Sequence, residues 1–138
     1  MAETYPQYYA YEGRPVVFVE TPDGGLSILA LSARTGEFER DRSYLDKIWF
    51  GTTADIETLT RDEFIQRVEE YRGRRLRGDG PAFALYETIN GIEDAARAEP
   101  RRLTPEEKAL IHTLRLRVHE LFEAELREQG RQGTPPAS

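Results

Sequence analysis

The chain has 138 residues, 19 Lys plus Arg against 25 Asp plus Glu, a formal charge of −6, and no cysteine. A chain of this size buries enough surface to fold as one domain without staples. The missing thiols exclude a cysteine nucleophile, a disulfide framework and cysteinyl metal sites. No apolar run is long enough to span a bilayer, and residues 1–13 lack the basic start and apolar stretch of a secretory signal. These features lead us to expect a cytoplasmic, bacterial-type protein.

Residues 8–41 read as an antiparallel β-meander. Tyr8 to Glu12 forms a first strand, and Gly13, Arg14 and Pro15 form a turn. Val16 to Val19 is β-branched and aromatic, which suits a pleated, half-buried surface. Thr21-Pro22-Asp23-Gly24-Gly25 is the strongest hairpin signal in the chain, with Gly24 supplying the left-handed residue. Leu26 to Leu31 is apolar on both faces and is therefore a central strand. Thr35-Gly36 marks a turn, and Phe38 between Glu37 and Glu39 marks an edge strand.

Residues 43–50 read as a short helix, capped by Ser43 with Asp46 reaching back, and with Tyr44, Leu45 and Ile48 on the sheet. Residues 55–59 fit a strand or a linker equally well. Thr60-Arg61-Asp62-Glu63 is a capping box. It opens a helix whose apolar face carries Phe64, Ile65, Val68 and Tyr71. A Gly-Asp-Gly-Pro break at 78–81 precedes a helix striped by Leu85, Ile89, Ile92 and Ala96. Thr104-Pro105-Glu106-Glu107 then starts the longest helix, running to about Gln129. The short loop at 99–103 makes the last two helices an antiparallel hairpin over 81–129. Residues 130–138 are expected to be a disordered tail. The resulting fold class is α+β. A meander of three or four strands with a short helix is followed by a capped helix and the helical hairpin, as one domain over 1–129.

Catalytic patterns are missing. The serines lack a nucleophile-elbow context. His112 and His119 lie on a charged helix with no Glu-x-x-His pair, so we expect neither metal nor cofactor. Three features point instead to a surface for another protein. Tyr8, Tyr9 and Tyr11 form an aromatic cluster in which Tyr9 and Tyr11 share one side and Tyr8 takes the other. Trp49-Phe50 adds to it. On the long helix, Leu114, Val118, Leu121 and Phe122 form a stripe longer than its partner helix, which predicts self-association or a partner helix there. The expected function is therefore a non-catalytic protein-binding module: an adaptor, regulator, immunity-type inhibitor or oligomeric subunit. Charge is uneven along the chain, −6 over residues 1–66 and +3 over 67–77. The acidic first half would steer the module toward a basic partner. The basic segment gives the alternative, a nucleic-acid or anion binder using Arg72, Arg74, Arg75 and Arg77. Its acidic flanks disfavour nucleic acid, and they match the plain reading of arginines complementing a helix C-terminus.

Overall fold

A computed structural model describes residues 4–51 and 54–137. The first three residues of the expected domain and the last residue of the expected tail lie outside them. The fold is α+β. Five strands, β1 (Gln7–Tyr11), β2 (Arg14–Glu20), β3 (Leu26–Leu31), β4 (Phe38–Arg40) and β5 (Ile56–Leu59), form an antiparallel sheet in the order β4-β3-β2-β1-β5. The helices are α1 (Ser43–Phe50), α2 (Arg61–Arg75), α3 (Pro81–Ala98) and α4 (Pro105–Glu128).

The sheet has one strand more than the meander. β5 pairs antiparallel with β1, Tyr8 opposite Leu59 and Tyr11 opposite Ile56, which settles 55–59 as an edge strand. The first hairpin turn also falls earlier than expected. Glu12 and Gly13 both take positive φ, the requirement of a two-residue type I′ loop. Arg14 and Pro15 already belong to β2. Pro15 is tolerated there because the β2–β3 ladder begins only at Val16, so no bond on that side needs its missing N–H. The 21–25 turn forms as expected: Gly24 has φ +83° and donates to the Thr21 carbonyl.

Alternation along the strands divides the core. One face carries Tyr8, Ala10, Val17, Leu29, Leu31, Phe38 and Leu59, packed on Phe64, Val68 and Tyr71 of α2. The other carries Val16, Phe18, Ile28 and Ala30, packed on Tyr44 of α1, with Tyr9, Tyr11, Leu45 and Ile48 around it. The molecule is thus three layers: α1, the sheet, and the α2–α4 group. Arg14 ties them at one end of the sheet, donating to the hydroxyls of Tyr71 and Tyr44 at 3.2 and 3.3 Å.

The predicted capping box of Thr60 with Glu63 is present, and the predicted helix start at Thr104 is also a capping box, with Glu107. The α1 cap differs. Arg42 is the N-cap without a side-chain bond, and Asp41 Oδ1 accepts from both the backbone and the hydroxyl of Ser43. Asp41 stands two residues before the expected cap, Ser43, and its carboxylate accepts the Ser43 N–H.

Residues 130–137 correct the expectation of a disordered tail. They have no regular structure, yet they run back across the molecule as a strap. The Phe38 N–H donates to the Gln132 carbonyl, the Thr134 N–H to Glu123 Oε1 at 2.7 Å, and Arg61 to the Pro135 carbonyl at 3.1 Å. Pro135 is buried. A Pro- and Gly-rich composition does not oppose this, because the strap is held by its own backbone groups rather than by an apolar stripe.

Candidate partner-binding surface

The expected surface residues separate into two sets. Tyr8 is 7% exposed, packed against Phe64 at 4.7 Å between tilted rings, and its hydroxyl accepts from Arg61. Val118 and Phe122 are buried as well. The uncovered stripe predicted for the long helix does not exist in that form, because α4 packs on both α3 and α2. Val118 and Phe122 join Leu76, Tyr86 and Leu126 in a core of their own, and Leu114 and Leu121 are half-buried. The apolar residues that α4 does expose are Leu110 and Leu116.

Tyr9, Tyr11, Trp49 and Phe50 behave differently. Tyr9 packs on Phe18 at 5.1 Å, and Phe18 packs on Trp49 at 5.7 Å. Tyr11 meets Tyr44 edge-on at 5.3 Å. One aromatic array thus runs from β1 across β2 to α1. The eight-residue α1 is too short to cover this sheet face, so the array reaches solvent at its far end. Trp49 is 43% exposed and Phe50 72%, the two largest apolar side chains at the surface among the described residues. Lys47 lies over the Tyr44 ring at 4.5 Å, and Asp46 beside it is exposed.

The basic segment of 67–77 is not a free patch. Arg72 is fully buried, so it cannot meet a solvent anion. Its Nη1 donates to Glu69 and its Nη2 to Glu123, both at 2.7 Å, its Nε donates to the Gly36 carbonyl, and its guanidinium lies 4.3 Å from the Phe122 ring centroid. Arg74 is paired with Glu93 and Asp94. Arg75 is exposed but stacks on Tyr71, and Arg77 is exposed. The four arginines therefore do not act as one cluster.

Around Arg72 lies a polar group that motif reasoning overlooked. Glu69 is buried and accepts from Arg72, from His119 Nδ1 at 2.6 Å and from the Tyr86 hydroxyl. Burial pushes the Glu69 carboxyl up, but the Arg72 charge and the His119 and Tyr86 hydrogen bonds outweigh it and hold the group below its ordinary value. Burial and the Glu69 charge push the Tyr86 phenol far up, so it stays a donor. The cluster joins α2, α3, α4, the β3–β4 turn and the strap. Gly73 makes the approach possible, since a Cβ there would stand 2.8 Å from the Tyr86 ring. Only the i, i+3 spacing of Glu69 and Arg72 is visible in the sequence. Among the described residues, no three His, Asp or Glu side chains gather as metal ligands, and no helix is long and apolar enough to cross a membrane.

No family model, curated protein or solved structure matches the chain.

Proposed function

We propose that the protein is a non-catalytic protein-binding module that docks a partner protein on the α1 side of its sheet. One observation carries this reading: Trp49 stands exposed at the end of a continuous aromatic array, with the exposed Phe50 next to it in the chain. Large aromatics that are rigid at the base and open at the tip are the residues that dominate protein recognition. The acidic first half of the chain supports a partner with a basic surface, drawn in by long-range attraction. The buried position of Arg72 and the pairing of Arg74 weaken the nucleic-acid alternative. An adaptor, regulator or immunity-type inhibitor in the cytoplasm fits this surface, and a second copy of the chain is the homo-oligomeric form of the same reading.

The test uses Trp49, the single tryptophan, as its own reporter. A partner recovered from the native host should blue-shift Trp49 emission on titration. Recovery should be abolished by Phe50→Glu and unaffected by Leu116→Glu, which changes the opposite side of the molecule. Light scattering distinguishes a second copy from a foreign partner. A partner held equally well by Phe50→Glu, with no change in Trp49 emission, would overturn the reading.

A further inference from the structure

On the other side of the molecule, the β3–β4 turn, the α2–α3 loop, α4 and the start of the strap enclose a hollow of about 290 Å³. Its floor is apolar, formed by Leu76, Phe83 and Phe122. Gly36, at φ +77°, brings the turn onto that floor. A Cβ at this position would stand 2.7 Å from Phe122 and 2.8 Å from Leu76, so only glycine permits the approach.

The rim is cationic. Arg34, Arg77 and Arg131 reach it from three separate segments. Arg131 is neutralised by Glu37. Arg34 and Arg77, unlike Arg131, have no carboxylate partner among the described residues. Arg77 Nη1 donates only to the neighbouring Leu76 carbonyl. Glu125 is the one acidic residue on the lining, so one positive charge is left uncompensated. Leu76, Arg77 and Phe83 also line a second hollow of about 440 Å³.

We infer that this hollow binds a small amphipathic anion, an aliphatic or aryl body ending in a carboxylate or phosphate. The body lies on Leu76, Phe83 and Phe122, and the head is held by Arg34 and Arg77. An apolar concavity with a few converging polar groups is the general form of a small-molecule site, and its size is at the lower end of the usual range of about 300–1,000 Å³. Guanidinium forks suit both oxyanion heads. This inference is independent of the partner surface, which lies across the sheet.

The probes are decanoate, decyl phosphate, decanol and inorganic phosphate, titrated calorimetrically into the full chain. Decanoate or decyl phosphate should bind one to one, and the tighter of the two identifies the head. Each of Arg34→Gln and Arg77→Gln, both exposed and outside any ion pair, should weaken binding about tenfold, the loss of one charge-assisted hydrogen bond. Binding should raise the melting temperature with the logarithm of free ligand concentration above Kd. Three results would overturn the inference: decanol binding as well as decanoate, inorganic phosphate binding as well as decyl phosphate, or unchanged affinity in the Arg34→Gln/Arg77→Gln double variant.

Discussion

Arg72 sits at the centre of the buried polar cluster. Its guanidinium is surrounded by two carboxylates, a carbonyl and an aromatic face, with no water-exposed edge. Burial pulls its charge down, and Glu69 and Glu123 outweigh that and hold it on. Removing one member leaves the others charged and buried, so Arg72→Met should destabilise the fold by about 3–5 kcal/mol at neutral pH. Urea unfolding measures it. Glu69 adds a pH signature. Its folded-state pKa is depressed, so its contribution is complete above the unfolded-state value of about 4.3 and is lost as pH falls through the lower folded value. Stability of the wild type should fall below about pH 4, with a shallower slope in Glu69→Gln. Equal slopes would mean that other carboxylates carry the acid sensitivity.

At the scale of elements, the legible parts are those whose cause lies within a few residues. The two capping boxes, the 21–25 turn and the strand alternation are each set by three to five neighbours. β5 is different, because four residues gain strand character only from a ladder with β1 about 50 positions away. The long-helix stripe misled for the same reason. α4 is covered by α2 as well as α3, a contact that counting lengths within the hairpin does not include. The β1 alternation has a measurable consequence. Tyr8 is buried on the α2 face, whereas Tyr9 is half-buried on the α1 face. Tyr8→Ala should cost about 3–5 kcal/mol. Tyr9→Ala should cost at least about 2 kcal/mol less and should weaken partner capture instead. Similar losses in both variants would contradict this division of the sheet.

For the molecule as a whole, the buried cluster and the strap were illegible because they are assembled from segments far apart in sequence. Glu69, Arg72, Tyr86, His119, Glu123, Gly36 and Thr134 meet from five places along the chain. Each looks like an ordinary surface residue until the others arrive. The strap closes the cluster. Thr134 gives Glu123 an N–H and a hydroxyl hydrogen bond, Arg131 pairs with Glu37, and the Gln132 carbonyl accepts from Phe38 on the β4 edge. That backbone bond also occupies part of an otherwise open strand edge, the kind of edge that invites aggregation. Deleting residues 130–138 should therefore do more than trim a tail. Glu123 loses two donors, each worth about 1.5–3 kcal/mol to a charged acceptor, and water entering the opened site replaces part of them. A net loss of about 2 kcal/mol should lower Tm by about 6–8 °C in a chain of this size. Thr134→Val isolates the hydroxyl contribution, since it removes the Oγ1 donor to Glu123 while keeping the backbone N–H and the chain length unchanged. It should account for about half of the loss. A truncated protein that melts with the wild type would show that the strap does not stabilise the fold and that the Glu123–Arg72 pair is sufficient without it.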